Sequence, residues 1–211
     1  MPTVATGVLM AAYLVLRPYG DQQEAPAAVA EAFASSYWIV AHVCGALALA
    51  SFAGLTVRLA DLADGSAARL ARRSGLLGAV LVLPYYGAET FGLHAMGRAA
   101  LDGDPAALEA VDGIREQPVA IVMFVAGLLL LAASGVAVAV AWQGLSYSAR
   151  WAGWPIGLVM ALVLPQFWLP PSGRVAFGVV YLLAAVVFAA AIWRADIPAP
   201  RAVPERLRTR V

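Results

Sequence analysis

Long apolar runs, separated by shorter polar stretches, alternate along the whole chain. Most of them approach the roughly 20 residues that a helix needs to cross about 30 Å of hydrocarbon. The pattern therefore predicts an all-α fold, a polytopic transmembrane bundle of six spans. The predicted spans are residues 3–17, 35–57, 75–97, 119–142, 151–169 and 175–193. Residues 1–194 would form this single domain, and residues 195–211 an Arg-rich tail.

Composition supports a membrane protein over a soluble one. The 211 residues are 62% hydrophobic and only 13% charged, well outside the range of soluble domains. A net charge of +1, without a basic aromatic patch, argues against a nucleic-acid partner. We therefore expect membrane lipid as the main partner, with a small lipophilic ligand as a possible second one.

The distribution of Arg predicts the orientation. All 14 basic residues are Arg, which is typical of GC-rich bacterial genomes. Six spans place ten of them on the side of the two termini and four on the other side. The positive-inside rule then makes both termini cytoplasmic, in the plasma (inner) membrane. Arg17, Arg98 and Arg174, on the less basic side, are interpreted as interfacial anchors.

Two further patterns concern the membrane surface. Tryptophans near predicted span ends indicate an aromatic belt. They are Trp142, Trp151, Trp154, Trp168 and Trp193. A short helix is predicted at 104–113, where Leu108 and Val111 are three residues apart, and we expect it to lie flat on the membrane.

A weak internal repeat relates two predicted hairpins. Residues 39–50 resemble 121–132, and the sequence LVLP at 81–84 recurs at 162–165. The alignment pairs His42 with Phe124, Tyr86 with Phe167 and Glu89 with Pro170. Because apolar segments often match by chance, both duplication and coincidence remain open.

The third span is the most polar of the six, and it contains Glu89, the one carboxylate placed inside a span. A carboxylate in hydrocarbon costs several kcal/mol, which indicates a functional role. Pro84 is expected to kink the span. Antiparallel packing of spans two and three places His42 at the level of Thr90 and beside Glu89, so an imidazole–carboxylate pair is predicted.

These positions define a predicted polar pocket in the outer leaflet, with aromatic walls. The ligand-binding candidates are Trp38, His42, Tyr85, Tyr86, Glu89, Thr90, His94 and Gln166. Phe91, Phe167 and Trp168 are further wall candidates. The structural alternatives are a Glu89–His42 clamp between helices, a solvated His94 and tyrosines that only pack.

Four functions remain open. The first is binding or transport of a small or lipophilic molecule, or of protons. The second is an intramembrane enzyme acting on a lipid or isoprenoid, with Glu89 and His42 as catalytic residues. The third is a haem or metal protein, and the fourth a structural subunit. Glu89 and His94 are five residues apart and Cys44 is the lone cysteine, so we expect no metal site and no cofactor. No characterised catalytic signature is present.

Overall fold

The computed structural model describes residues 1–145 and 149–195, and within these ranges the chain is helical without any strand. The all-α prediction is confirmed. The α-helices are α1 (Pro2–Leu16), α2 (Pro26–Ala34), α3 (Ser36–Leu62), α4 (Ser66–Gly87), α5 (Leu93–Leu101), α6 (Ala110–Arg115), α7 (Pro118–Leu145), α8 (Gly153–Ala161) and α9 (Pro171–Arg194). A π-helical segment, Ala88–Gly92, joins α4 to α5. The predicted tail lies almost wholly outside the described residues.

Four helices in these ranges are long and apolar enough to cross a membrane: α3, the continuous helix Ser66–Leu101, α7 and α9. The first predicted span, α1, has 15 residues and a length of only about 22 Å. The fifth predicted span is not one helix, because α8 ends at Ala161 and a 3₁₀ turn follows at Pro165–Trp168. Membrane character is thus supported, and the count of six spans stays a prediction.

Six helices nevertheless close into a ring. Helix α1 packs on α3 and α9, α4 packs on α3 and α7, and α8 packs on α7 and α9. Glycines allow the closest approaches. A Cβ added to Gly78 of α4 would lie 2.7 Å from the carbonyl oxygen of Gly127 in α7. One added to Gly135 would lie 2.6 Å from the carbonyl oxygen of Gly157 in α8. Small residues at helix contacts are typical of membrane bundles.

The outer surface of the ring is apolar. Large side chains such as Leu77, Leu129 and Leu183 are more than half exposed on it. A surface of this kind would aggregate in water, and it suits contact with lipid.

The predicted tryptophan belt is only partly present. Trp151, Trp168 and Trp193 are exposed. Trp154 is half-buried. The interpretation of Trp142 was wrong, because it is fully buried and its indole N–H donates to the Ala149 carbonyl oxygen at 2.9 Å.

Helices α2, α5 and α6, with the 3₁₀ turn Pro105–Glu109, form a small layer over one end of the bundle, which we call the cap. Its apolar cluster contains Phe33, Trp38, Leu93 and Val111, with Leu108 packed against them. Leu108 and Val111 therefore pack within the cap, so the apolar face that the sequence assigned to the membrane surface is covered by protein. The cap covers the end of the bundle that contains Glu89.

Candidate functional site: a charged cavity beneath the cap

The backbone around Glu89 departs from α-helical geometry. Pro84 lies inside α4, and the Ala88 N–H is shared between the carbonyl oxygens of Pro84 and Tyr85. The helix then widens into the π segment Ala88–Gly92. Single π turns of this kind occur often at functional sites. The Glu89 carbonyl oxygen accepts a hydrogen bond from the Trp38 indole at 2.8 Å, which ties the segment to α3.

A cavity of about 260 Å³ opens beside this segment. Its walls come from helices α1, α3, α4, α6 and α7, from the loop that follows α1, and from the region between the 3₁₀ turn Pro165–Trp168 and the start of α9. The lining residues are Tyr13, Arg17, Asp21, Gln22, His42, Tyr85, Tyr86, Glu89, Arg115, Phe124, Phe167 and Arg174.

A chain of ion pairs lines one wall. The Arg115 Nε donates to Glu89 Oε1 at 2.8 Å, and its Nη2 lies 3.2 Å from Glu89 Oε2. The same Nη2 lies 3.1 Å from Asp21 Oδ2, which also accepts from Arg17 Nη2 at 2.7 Å. The partner of Glu89 is therefore Arg115. The predicted pairing with His42 was wrong, because Arg115 reaches into the cavity from the cap and occupies both carboxylate oxygens.

Arg115 is held in its charged form. Burial lowers the pKa of its guanidinium. The hydrogen bonds and negative charge of Glu89, together with Asp21, raise the pKa by more than burial lowers it, so the net shift is upward. A raised folded-state pKa contributes stability that is fully present below the pKa of the unfolded state, and this contribution is lost only as pH rises through the folded-state pKa. The network is therefore insensitive to the titration of Arg115 across the physiological pH range.

Arg17 is buried rather than anchored at an interface. It is only 7% exposed, and its guanidinium carbon lies 5.0 Å from the ring centres of both Tyr19 and Trp38. Its Nε and Nη1 have no hydrogen-bond partner among the described residues, nor has the Oδ1 of Asp21. The two rings stabilise the Arg17 charge by cation–π attraction. The anchor interpretation of Arg17 was wrong.

Arg174 is also buried, at 8% exposure, and the anchor interpretation was wrong here too. Its Nε donates to the Leu169 carbonyl oxygen at 3.1 Å, and its Nη2 donates to that of Phe167. With the Gln22 amide oxygen turned toward it, the guanidinium donates a further bond at 3.1 Å. No carboxylate in residues 1–145 or 149–195 forms an ion pair with Arg174. The oxygens that it bonds among the described residues all belong to neutral groups.

Aromatic rings form the opposite wall. The rings of Tyr85 and Phe124 stack at 4.4 Å between centres, and Phe124 meets Phe167 edge-on at 5.7 Å. Arg174 lies over the Phe167 ring at 5.8 Å, so the two walls meet there. Phe91 and Trp168, the other predicted wall residues, are 62% and 77% exposed and face outward.

Of the eight predicted ligand-binding residues, four line the cavity: His42, Tyr85, Tyr86 and Glu89. The Nδ1 of His42 must carry hydrogen, since it donates to the Trp38 carbonyl oxygen at 2.8 Å. Its Nε2 is engaged by no described residue.

The other four do not line the cavity. Thr90 donates to the Tyr86 carbonyl oxygen at 2.6 Å, and Trp38 supports Glu89 from behind. His94 donates to the Phe33 carbonyl oxygen at 2.8 Å and belongs to the cap. Gln166 is buried, with an Oε1 that has no partner among the described residues.

Within residues 1–145 and 149–195, no group of three or more His, Cys, Asp or Glu side chains could hold a metal ion. His42 and His94 each bond a different backbone carbonyl.

Sequence reasoning missed most of the charged wall. The missed lining residues are Tyr13, Arg17, Asp21, Gln22, Arg115, Phe124 and Arg174. Two signals were available. Arg17 and Asp21 have the i, i+4 spacing of an ion pair, and the internal repeat aligns Phe124 with His42. Nothing in the local sequence marked Arg115.

The chain matches no protein-family profile, no curated protein and no solved structure.

Proposed function

We propose that this chain is a six-span protein of the bacterial plasma membrane, with both termini cytoplasmic, whose cavity binds or transports a small or lipophilic molecule from the outer leaflet. The observation that carries this proposal is the cavity itself, with ion pairs on one wall and stacked aromatic rings on the other. Binding sites for small molecules typically combine an apolar lining with a few fixed polar groups.

The Arg distribution supports this orientation. Of the four Arg residues on the cap side, Arg17, Arg115 and Arg174 line the cavity. Only Arg98 is exposed. With four Arg residues on the cap side against ten on the other, the rule that places basic loops in the cytoplasm favours an external cap.

Binding ranks above catalysis because of the state of Glu89. A general acid or base must reach a substrate proton, whereas both Glu89 oxygens are bonded to Arg115. These bonds suit a carboxylate that holds Arg115 in position and not one that exchanges a proton with a substrate.

Topology can be tested with single cysteines in a Cys44→Ala background. Glu24→Cys and Glu109→Cys, both at exposed positions on the cap side, should react with an impermeant thiol reagent in intact cells. Asp64→Cys, exposed at the opposite end, should react only after permeabilisation. The reverse pattern would overturn the orientation.

Binding can be tested by filling the cavity. Phe124→Trp should occupy part of it, and the control Val122→Trp adds the same ring on the lipid-facing surface, where Val122 is 66% exposed. Compounds that stabilise the parent and the control in a thermal-shift screen, but not Phe124→Trp, bind in the cavity. Compounds that stabilise all three proteins bind elsewhere and would count against this site. Uptake of a cavity ligand into proteoliposomes distinguishes transport from binding.

A further inference from the structure

We infer that the cavity selects small organic anions, with the anionic group held at Arg174 and an apolar or aromatic body lying against Phe124 and Phe167. This inference rests on the proposed binding function and names the chemical class of its ligand. A carboxylate, a phosphate monoester or a sulfonate has the required negative charge and oxygen acceptors for a guanidinium.

The first support is the charge of the lining. Three guanidinium groups, those of Arg17, Arg115 and Arg174, face two carboxylates, those of Asp21 and Glu89. The lining therefore has a formal charge of one positive. A cleft with low-dielectric walls focuses such a charge and concentrates ions of opposite sign.

The second support is the location of the excess charge. Asp21 and Glu89 are bonded to Arg17 and Arg115, so both carboxylates are committed. Arg174 bonds only carbonyl and amide oxygens among the described residues. These dipoles position the guanidinium without neutralising it. Burying a cation is costly unless an anion is paired with it, and an anionic ligand would supply this partner.

The third support is the proximity of the two walls. Arg174 lies over Phe167, which contacts Phe124, which stacks on Tyr85. A ligand whose charged group reaches Arg174 therefore has flat apolar surface beside it. Offset or edge-on ring contacts would stabilise an aromatic body at this position.

The test measures the charge preference of the cavity directly with two thiol reagents of similar size. In the full-length Cys44→Ala protein, a Phe124→Cys variant is treated with an anionic sulfonate-bearing methanethiosulfonate and with its cationic trimethylammonium counterpart. Each rate is divided by the rate of the same reagent with 2-mercaptoethanol. The fraction of ionised thiol cancels in the ratio of the two normalised rates.

We expect the normalised ratio to favour the anionic reagent about tenfold, which corresponds to the roughly 1.4 kcal/mol of a tenfold equilibrium difference. Adding Arg174→Gln should reduce the ratio to about one, because the net charge of the lining becomes zero. Arg174→Lys should retain the preference. The matched control is Arg98→Gln, which removes an exposed charge from the same side and should leave the ratio unchanged.

The outcomes separate this inference from the proposed function. Reaction of Phe124→Cys with both reagents at equal normalised rates, or faster with the cationic one, would overturn anion selectivity while leaving an accessible cavity. No reaction with either reagent would overturn the accessible cavity and the proposed function with it. If Arg174→Gln does not fold, the ratio for Phe124→Cys alone and the Arg174→Lys variant still decide the question.

Protection experiments then identify the source of the anion. If a free solute is the ligand, 3-phenylpropionate should slow labelling in nanodiscs of pure phosphatidylcholine. The isosteric 3-phenylpropionamide, which lacks the charge, should not. If a lipid headgroup is the ligand, phosphatidylglycerol in the nanodisc should give the protection instead. Protection by either anion supports the inference, and protection by neither would overturn it.

Discussion

Hairpin α3–α4 contributes His42, Tyr86 and Glu89 to the cavity, whereas hairpin α7–α8 and the turn after it contribute Phe124 and Phe167. The internal repeat aligns His42 with Phe124 and Tyr86 with Phe167, whereas Glu89 aligns with Pro170, which is not among the lining residues. The two hairpins thus meet at one cavity with different chemistry: the first contributes polar groups as well as rings, and the second contributes aromatic rings.

The two hairpins also differ in the backbone that follows the proline of their shared LVLP sequence, which is Pro84 in the first and Pro165 in the second. In the first, helix α4 continues past Pro84 through a π segment into α5. In the second, the helix stops, Pro165 begins a 3₁₀ turn, and the chain is extended at Pro170 before α9. The Pro170–Pro171 pair accounts for the extended backbone of Leu169 and Pro170, because a residue before proline avoids helical geometry. Helix α9 begins directly after this extended stretch, and its first turn carries Arg174, which lines the cavity as Glu89 of the π segment does.

The largest effect should come from Arg115→Ala, which removes the link between the cap and both carboxylates. Glu89 and Asp21 would lose their shared cation while remaining buried, and we expect a loss of about 2–4 kcal/mol in unfolding free energy. Unfolding of the purified protein in one detergent measures this loss. Arg98→Ala, at an exposed site, is the control and should change little. Equal losses in the two variants would mean that the ion-pair network does not stabilise the first hairpin.

Gly135→Ala tests whether the close packing of α7 on α8 stabilises the second hairpin. The added methyl would meet the Gly157 carbonyl oxygen at 2.6 Å, and overpacking should cost about 1–3 kcal/mol. Gly87→Ala is the control, since no atom lies within 4 Å of its added methyl. Its stability should hold or rise, because alanine favours a helix over glycine. A Gly135→Ala protein as stable as the parent would contradict the close α7–α8 contact.

Glu89→Gln should cost about 1–2 kcal/mol, because Arg115 would keep only Asp21 as a charged partner. With His42 as the partner, the same substitution would strand no charge, and the protein would be at least as thermostable as the parent. The Arg115 salt bridge reverses that expectation. Glu109→Gln, at an exposed position of the cap, serves as the control in thermal unfolding. Unchanged stability of Glu89→Gln would indicate that the Arg115 contact contributes nothing.

The smallest effect is expected for His42→Phe, which copies the aligned Phe124 into the first hairpin. The lost hydrogen bond is a local one to Trp38, and the larger ring can extend into the cavity. We expect a change within about 1 kcal/mol. A loss greater than that of Glu89→Gln would show that the two hairpins are not interchangeable at this position.

The hydrophobic pattern alone was sufficient to predict the long helices. The predicted span at 119–142 lies within α7, and the span at 35–57 begins one residue before α3. That residue, Ser35, caps α3 through its Oγ, which accepts from the Tyr37 N–H at 3.2 Å. The predicted span at 151–169 was wrong as a single helix. Its sequence is apolar throughout, and hydropathy does not register a break caused by Pro165, Pro170 and Pro171.

The site was predictable only in part, because a sequence pattern reveals a functional residue only when its type is unusual for its position. Glu89 was found since a carboxylate is rare within a span. Arg115 lies in an acidic loop where a cation is ordinary, and its contact with Glu89 depends on how the cap folds back. Arg17 and Arg174 were misread for a related reason. An Arg at a span end is usually an anchor, and only packing reveals that these two face inward.

The continuous helix from Ser66 to Leu101 has 36 residues and extends at most about 54 Å, well beyond the roughly 30 Å of a bilayer core. Its upper part is α5, which packs on α2 within the cap, and its lower part begins among Arg69, Arg72 and Arg73. The covering of the cavity and the basic surface at the other end of the bundle therefore belong to one continuous helix, so neither can be repositioned independently of that helix.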